Sequence, residues 1–342
     1  MSLMRDDDII LIGHGSGGQM TADLIGGVIL PALFPDGRYP EQEDAVGFTL
    51  PGRDVVFTTD SYVVDPFIFP GGDIGDLAVN GTINDIAMGG GRPVALSLAL
   101  ILEEGLTVGE LKRVLASAGK AARNAGVALL AGDTKVVPRG KGDKIFINTS
   151  GVGYARPGVA APKAARIKPG DALLINGNVG DHGVAIMSSR EGLSFSSTIT
   201  SDSAALNGLV DRLYDGGIEI HALRDPTRGG LATVAVELAE AAGVAIRLDE
   251  RAIPVATAVA GACELLGLDP TLVANEGKMV AAVPADQAAA ALAIMRADPL
   301  GADAAIIGYA EAAPAGRVTM TSLIGGARMI HRLPGELLPR IC

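Results

Sequence analysis

The sequence predicts an α/β fold, and two observations support this prediction. Apolar segments with the length and residue types of strands alternate along the chain with segments of helical periodicity, which is the pattern of α/β proteins. The 342 residues include 46 glycines, 19 prolines, 48% apolar residues and 20% charged residues. A chain of this length and composition can form two turn-rich domains, each with its own hydrophobic core.

The first half of the chain is predicted to contain five strands and three helices. A capping box formed by Thr107 and Glu110 begins the last of these helices, and Gly126 ends it. The strands are predicted at 8–12, 54–59, 95–102, 127–131 and 144–154. The helices are predicted after Gly18 up to about Leu30, at 74–88 and at 107–126.

The second half repeats this alternation after a stretch at 156–170 that is rich in Ala, Pro, Lys and Gly. We interpret this stretch as the link between two domains. The predicted bounds are 1–160 for the first domain, 161–332 for a second α/β domain and 333–342 for a tail. Strands are predicted at 172–176, 244–248, 279–283 and 303–310, and helices from the loop at 225–230 up to about 242, at 255–266 and at 285–297.

The tail carries Pro334, Gly335 and Pro339 and ends on Cys342. These residues exclude a regular helix, so we expect an extended, mobile arm. A thiol at the end of an arm is restricted by the backbone on one side only, which suits a carrier of a bound group. The alternative is a frayed terminus that ends in cysteine. A prenyl anchor is excluded because it requires the cysteine four residues from the end.

Charge and composition exclude several other classes of protein. The net charge of −11 and the absence of a basic stretch exclude nucleic acid as a partner. No run of about 18 apolar residues predicts a membrane span, and no signal-peptide pattern is present, so we expect a cytoplasmic protein. Two cysteines, Cys263 and Cys342, cannot form a disulfide framework or a cysteine metal site. The helical spacing of apolar residues around Cys263 predicts a buried core thiol.

Glycine-rich residues follow the first predicted strand. Gly13, Gly15 and Gly18 have the spacing of the dinucleotide-binding fingerprint. The second strand with an acidic end that this fingerprint requires is missing, because residues 31–43 are polar and rich in proline. Two interpretations remain open: a flexible flap whose backbone N–H groups approach a phosphate, or a plain surface turn.

Four aspartates share a placement in glycine-, asparagine- or threonine-rich motifs. Asp60 and Asp133 stand where predicted strands end, Asp225 lies in a loop that begins a helix, and Asp85 lies on a helix. Carboxylates that gather at the carboxyl ends of strands suit hard cations bound to polyphosphate. A single aspartate of this kind usually caps a helix or forms a turn. The chain has no Walker-type phosphate loop.

Two further residues are candidates for chemistry. Lys135 follows Asp133 by two residues, so both side chains share a face if the strand continues. Glu276 lies between Asn275 and Gly277 at the entrance of a strand and is a candidate base. A surface salt bridge is the alternative role for each.

The combined motifs resemble the carbamoyl dehydratase family of hydrogenase-maturation proteins, within the aminoimidazole-ribonucleotide synthetase (PurM-like) superfamily. The resemblance covers essentially the whole chain. The motifs that carry it are 59–66 (TDSYVVDP), 69–75 (FPGGDIG), 78–88 (AVNGTINDIAM), 132–137 (GDTKVV), 180–183 (GDHG), 224–230 (RDPTRGG), 275–277 (NEG) and 339–342 (PRIC).

This resemblance implies a two-domain PurM-like fold in which the first domain binds ATP, carries the flap and forms a barrel across a homodimer. It implies ATP and magnesium (Mg2+) as cofactors. It also implies that the carbamoyltransferase HypF loads Cys342, and that a HypC–HypD complex accepts the product. The implied nucleotide-binding residues are Gly15, Gly17, Asp44, Asp60, Asn80, Thr82, Asn84, Asp85, Asp133 and Asp225, with Asp60, Asp85, Asp133 and Asp225 also binding metal.

The implied reaction is the ATP-dependent dehydration of a carbamoyl group on Cys342 to a thiocyanate, the source of cyanide for the NiFe-hydrogenase iron. A carboxamide oxygen is a poor leaving group, so it must become a phosphate ester while both N–H protons are removed. We assign charge stabilisation to Lys135 and proton removal to Glu276, with His182 as a second candidate for proton removal.

Three other functions remain as alternatives. A small-molecule kinase of the same superfamily, such as selenophosphate synthetase or thiamine-phosphate kinase, would use the same aspartates but does not need a terminal cysteine. An oxidoreductase would rest on Gly13, Gly15 and Gly18 alone. A non-catalytic scaffold would deliver a ligand on Cys342 without hydrolysing ATP.

Overall fold

A computed structural model describes residues 4–15, 19–39, 48–51, 54–192, 199–331 and 340–342 of the chain. Within these ranges the chain forms a four-stranded and a seven-stranded β-sheet, each packed against helices, and a small two-stranded sheet. The strands are β1 (Val55–Tyr62), β2 (Ile68–Phe69), β3 (Gly72–Asp73), β4 (Gly91–Glu103), β5 (Ala128–Val137), β6 (Ile145–Ala155), β7 (Ala172–Ile175), β8 (Ala222–Arg224), β9 (Ala245–Asp249), β10 (Val280–Val283), β11 (Ala305–Glu311), β12 (Val318–Thr321) and β13 (Ala327–Ile330).

The helices lie between these strands. A 3-10 turn at Ile12–Gly15 precedes the first of them, and a π-helical segment at Ile25–Ile29 joins α1 to α2. The α-helices are α1 (Gln19–Leu24), α2 (Leu30–Leu33), α3 (Ile74–Met88), α4 (Val108–Ala125), α5 (Asp181–Arg190), α6 (Asn207–Asp215), α7 (Gly230–Ala242), α8 (Thr257–Leu266) and α9 (Ala288–Arg296). No helix in the described ranges has both the length and the apolar character to cross a bilayer.

The four-stranded sheet has the order β1-β6-β4-β5, so β1 and β5 are its two edges. Only the β4–β5 pair is parallel. Helix α3 packs on one face, because its apolar side chains and those of the sheet form a common core. The other face leaves large apolar side chains exposed, including Val55, Ile101 and Phe57, which is 64% exposed.

The seven-stranded sheet has the order β13-β12-β9-β11-β7-β10-β8. Its central strands β7 and β10 are buried along their whole length, because helices cover both faces. Leu173 and Ile175 pack towards α7, whereas Ala172 and Leu174 pack towards α6 and α9. This alternation is the period of two that a strand imposes.

Local sequence signals predicted the helix ends well. Helix α4 begins with the capping box of Thr107 and Glu110, as predicted, and ends at Gly126 with a left-handed φ of 70°. Helix α3 has the predicted bounds of 74–88 and a second capping box, formed by Asp73 and Asp76. The core position of Cys263 is also confirmed, since the residue is buried beside α5.

Other predictions were wrong in their bounds. The strand predicted at 8–12 is only an isolated bridge between Ile9 and Thr107, because no neighbouring strand is available for a longer pairing. Asp60 and Asp133 do not end their strands: β1 continues to Tyr62 and β5 to Val137. Both are edge strands, where solvent on the unpaired side tolerates charged residues. Strands β2, β3, β8, β12 and β13 were not predicted.

Two predicted features concern the connections between these elements. Residues 156–171 connect the two sheets, and the domain boundary near residue 160 stays a prediction. Most of the predicted arm lies outside the described residues, which include only its last three, Arg340, Ile341 and Cys342.

We predict that Thr107→Ala lowers the free energy of unfolding by about 1 kcal/mol, because it leaves N–H groups in the first turn of α4 without acceptors. Urea unfolding followed by circular dichroism measures this. Thr257→Ala is the matched control, since Thr257 begins α8 after Ala256 and no side chain caps that helix. Equal effects of the two substitutions would contradict the capping interpretation.

Candidate active site between the two sheets

The last residues of the chain lie against the end of β1. The N–H of Val63 donates to the carbonyl oxygen of Cys342 over 3.2 Å, and the N–H of Asp65 donates to that of Arg340 over 3.3 Å. Ile341 is 3% exposed and belongs to the core under α3, against which Cys342 also packs. The terminus therefore extends the hydrogen-bonding pattern of β1, as an added strand would.

His182, at the start of α5, holds the same segment from the other side. Its Nε2 lies 2.7 Å from the carbonyl oxygen of Ile341 and its Nδ1 lies 2.8 Å from the hydroxyl of Ser201. Burial lowers the pKa of His182, so the ring is neutral. Because a carbonyl oxygen only accepts, Nε2 donates and Nδ1 accepts from Ser201. Both ring nitrogens are thus engaged, which favours a role in holding the tail over the proton-transfer role that we assigned to His182.

Arginine side chains complete the attachment. The guanidinium of Arg340 donates to the carbonyl oxygen of Val63 over 3.1 Å and forms an ion pair of 2.8 Å with Asp143. Arg190 donates to the carbonyl oxygens of Asp65 and Arg340. These charge-assisted bonds lie near the surface, whereas the neighbouring Ile341 is buried in the core.

Four acidic residues lie together beside this segment: Asp60, Asp85, Asp225 and Glu276. Burial, and next the charge of Asp85, raises the pKa of Asp225 to about 7. Burial, followed by the charges of Asp225 and other acids, raises the pKa of Glu276 well above its ordinary value. Asp85 accepts a hydrogen bond of 2.8 Å from Thr58. The charge of Arg224 opposes the rise in pKa at Asp85 and at Asp225, and that of Arg228 opposes it at Asp85, so these guanidinium groups balance part of the negative charge. The carboxyl groups that gather here still suit a divalent cation.

The backbone at Glu276 is held by a residue that the sequence did not single out. The carboxylate of Asp202 accepts from the N–H groups of Glu276 over 3.1 Å and Gly277 over 3.3 Å, and pairs with Lys278 at 2.9 Å. Asn84 on α3 donates to the carbonyl oxygen of Glu276 over 3.3 Å. No local pattern marks Asp202, because its partners lie more than 70 residues further along the chain.

Asp133 and Lys135 are not part of this group within one chain. Residues 60, 149, 98 and 132 form a row across β1, β6, β4 and β5, and Thr149 in that row faces α3. Because faces alternate along a strand, Asp133 and Lys135 point to the open face. They are also three strand spacings, about 14 Å, from the row position of Asp60. The predicted gathering of four aspartates is therefore wrong for a single chain.

A second group forms on β5 instead. The ammonium of Lys135 lies 2.6 Å from the carboxylate of Asp133, and this bond is the main cause that lowers the pKa of Asp133. Gly15 packs against the same strand, since a Cβ on it would stand 2.4 Å from the backbone nitrogen of Val136. Gly17 and Asp44, two other predicted nucleotide-binding residues, lie outside the described residues.

Three predicted nucleotide-binding residues on α3 have partners inside the protein. Asn80 donates to Ser203, Asn84 bonds to the backbone of Ala204, Leu206 and Glu276, and Thr82 bonds to Thr149. Their side chains join α3 to the second half of the chain and to β6. Their contact with nucleotide stays a prediction.

The acids do not form a complete metal site on their own. Across the residues that the structure describes, no three His, Cys, Asp or Glu side chains meet in a geometry that could hold an ion. The carboxyl groups of Asp60, Asp85 and Asp225 fit a cation whose remaining ligands come from elsewhere, such as nucleotide phosphates.

Comparison with known proteins identifies the family. The model of the AIR synthase related protein, N-terminal domain, matches residues 42–155, and that of the corresponding C-terminal domain matches residues 168–321. The carbamoyl dehydratase HypE of Rhizobium leguminosarum bv. viciae is 51% identical over 332 residues, which cover 97% of this chain and 94% of that protein. The chain belongs to the HypE carbamoyl dehydratase family.

Solved HypE structures have the same fold. HypE in complex with ATP superimposes with a TM-score of 0.92 at 48% identity, covering 97% of this chain and 99% of that one. HypE in a complex with HypF superimposes with a TM-score of 0.78 at 47% identity, covering 82% of this chain and 91% of that one. The predicted two-domain PurM-like α/β fold is thus confirmed. A thiamine-monophosphate kinase from Aquifex aeolicus, at 18% identity and a TM-score of 0.59, shares the fold alone.

We predict that Asp225→Asn stabilises the metal-free protein more at pH 8 than at pH 5. The folded pKa of Asp225 is about 7, against an ordinary value of 3.8. Its contribution to stability is therefore complete below pH 4 and is lost as the pH rises through 7, where the buried carboxylate must ionise. Thermal unfolding in the presence of a chelator measures the effect.

The control is Asp286→Asn, which changes an exposed residue in a turn. This substitution should shift the unfolding midpoint little at either pH. If Asp225→Asn raises the unfolding midpoint by the same amount at pH 5 and at pH 8, the result would contradict the charge repulsion inferred for the acidic group.

Proposed function

We propose that this chain is an ATP-dependent carbamoyl dehydratase that works on its own C-terminal residue. The observation that carries the proposal is the contact of the Cys342 backbone with Val63, which places the terminus beside the acidic group of Asp60, Asp85, Asp225 and Glu276. Membership of the HypE family supports the same activity. The product is a thiocyanate that supplies the cyanide ligand of the NiFe-hydrogenase iron.

The proposed reaction has two steps. The carbonyl oxygen of the S-carbamoyl group attacks the γ-phosphorus of ATP, ADP leaves, and the nitrogen loses one proton to give an imidoyl phosphate. Loss of the second N–H proton then forms the C≡N bond as the C–O bond to phosphate breaks. The sum is S-carbamoyl-cysteine and ATP converted to S-cyanocysteine, ADP, phosphate and a proton, with the oxygen leaving on phosphate.

Glu276 is the proposed acceptor of these protons. It is buried beside the terminus, and Asp202 and Asn84 fix its backbone. Asp60, Asp85 and Asp225 would hold magnesium, which neutralises charge on phosphate in such reactions. The charges of the neighbouring acids help to raise the pKa of Glu276. A cation among them would lower this pKa, so that Glu276 could ionise and accept a proton.

A homodimer would complete the site. The open face of the four-stranded sheet exposes Val55, Phe57 and Ile101 as well as Asp133 and Lys135, and β1 and β5 are its edges within the part of the chain that the structure describes. Two such sheets that close into a barrel pair β1 of one copy with β5 of the other. Asp133 and Lys135 of one copy would then lie near the acidic group and tail of the other.

The tail must leave the site to be loaded. The arginine contacts that hold it lie close to the surface, and we propose that it moves between this site and that of HypF, with which a related HypE forms a complex. A HypC–HypD complex is the proposed acceptor of the cyanide, in the cytoplasm. A small-molecule kinase has no need of a docked terminal cysteine, so that alternative is the weaker one.

We predict that the loaded protein loses one water, about 18 Da, only when Mg-ATP is added. Cyanate at neutral pH converts the Cys342 thiol to the S-carbamoyl form, and buried Cys263, whose pKa burial raises to about 11, reacts slowly. Mass spectrometry of the C-terminal peptide follows the change. Cys342→Ala should still bind ATP but show no shift. A loaded tail that keeps its mass while ATP is present would contradict the dehydratase and favour the scaffold.

We predict that the site is shared between two copies. In a heterodimer of Lys135→Ala and Glu276→Gln chains, purified through two tags, one of the two sites is intact, so about half of the wild-type rate is expected. A heterodimer of wild-type and doubly substituted chains has no intact site and should be inactive.

The opposite pattern identifies a site within one chain. In that case the first heterodimer is inactive and the second retains about half of the activity. This outcome, or a protein that sediments as a monomer, would exclude the proposed barrel.

A further inference from the structure

Two buried oxygen atoms near the tail form no hydrogen bond of normal geometry among the described residues. They are the hydroxyl oxygen of Tyr62, at the end of β1, and Oε1 of Glu276. The two residues are 2% and 4% exposed. Thr82 lies near enough to the first of these atoms to act on the pKa of Tyr62, but its own hydroxyl is bonded to Thr149. A buried polar atom without a partner costs free energy, and most such atoms in folded proteins are paired. A phenylalanine at position 62 would fill the same space without this cost.

The helix above Tyr62 is shaped to make room for its hydroxyl. A Cβ on Gly81, in the middle of α3, would stand 2.2 Å from the hydroxyl oxygen, but 3.1 Å and 3.3 Å from the nearest ring carbons. A glycine within a helix lowers its stability relative to alanine. The chain therefore accepts two unfavourable features, the unpaired hydroxyl and the helical glycine, at one place.

The tail docks at the residue that follows Tyr62. Val63, the residue after Tyr62, binds the Cys342 carbonyl oxygen, and Ile341 shares the core cluster of Tyr62, with Cys342 packed against it. Glu276 and Tyr62 also interact electrostatically: after burial and Asp60, the Glu276 charge is the next cause that raises the pKa of Tyr62. The unpaired atoms and the terminal residue thus surround one region.

The group carried by Cys342 matches these two atoms. A carbamoyl nitrogen carries two N–H donors, and each needs an acceptor once the group enters a buried site. We propose that Tyr62 is a catalytic residue whose hydroxyl oxygen accepts one N–H of the S-carbamoyl group while Glu276 Oε1 accepts the other. This inference rests on the proposed function, because it assigns a recognition partner to the substrate of that reaction.

The proposed contact has a consequence for the reaction. With both N–H groups held, rotation about the S–C bond is restricted, and the carbonyl oxygen points away from Tyr62 and Glu276, towards the phosphoryl donor. The contact also selects a primary amide over a thioester or a bare thiol, neither of which can satisfy the two oxygen atoms.

Tyr62→Phe tests this directly, since it removes the hydroxyl and keeps the ring. Wild-type and variant proteins are loaded with cyanate, Mg-ATP is added at saturation, and the loss of 18 Da from the C-terminal peptide is timed. We expect the variant to lose water about 10- to 100-fold more slowly, as for the loss of one hydrogen bond to the reacting group. Its ATP affinity should match the wild type, and its thermal midpoint should match or exceed it.

Tyr214→Phe is the matched control. The Tyr214 hydroxyl is also buried and unpartnered, but its ring stacks on Arg156, 4.5 Å from the guanidinium carbon, away from the tail. This variant should dehydrate at the wild-type rate. A wild-type rate in Tyr62→Phe would overturn the inference, and so would a slow rate with a lower midpoint or weaker ATP binding, which indicates a structural role. If the wild type itself loses no water, the proposed function fails and the inference fails with it.

A second measurement checks where the hydroxyl lies. Gly81→Ala should lower the thermal midpoint in the Tyr62 background, because the new methyl group meets the hydroxyl oxygen. In the Tyr62→Phe background, Gly81→Ala should lower the thermal midpoint clearly less, because the ring carbons lie further from the new methyl group than the hydroxyl oxygen does. Equal costs in the two backgrounds would show that the hydroxyl does not occupy this place and would overturn the inference.

Discussion

The hydrogen bond between Val63 and Cys342 is the interaction on which the site depends. It joins the last residue of the chain to the end of an edge strand, beside four acidic residues of both halves of the chain. His182 and Arg340 strengthen this attachment with bonds to backbone carbonyl oxygens. The terminus is thus held through its backbone as well as through the packing of Ile341.

Negative charge is the second constraint on the site. Burial, followed by repulsion from neighbouring carboxylates, raises the pKa of Asp85, of Asp225 and of Glu276. A protein accepts such repulsion where a cation or a polyphosphate–metal complex relieves it. Asp202 keeps this arrangement fixed. Its buried carboxylate accepts hydrogen bonds from two peptide N–H groups and pairs with Lys278.

The separation of Asp133 and Lys135 from Glu276 is the reason for the proposed homodimer. Within one chain, Asp60 lies on the edge strand β1, whereas Asp133 and Lys135 lie on the edge strand β5. Their side chains are on opposite faces of the four-stranded sheet. Closing two sheets into a barrel would remove the unpaired edges, bury Phe57 and bring these groups together in one step. Structure and catalysis would then require the same assembly.

The sequence by itself determined what depends on near neighbours along the chain. It placed α3 and α4 through their capping residues, most of the strands through their apolar runs, and the chemistry through the family motifs and Cys342. Only the tertiary structure decided which of these residues meet. Strand order and the alternation of faces place Asp133 on one face of the sheet and Asp60 on the other. Contacts between residues far apart in the sequence bring Asp202 to the backbone of Glu276 and His182 to the tail. The physical reason is that capping and periodicity act over a few residues, whereas the site is assembled from side chains whose distances in space are unrelated to their distances along the chain.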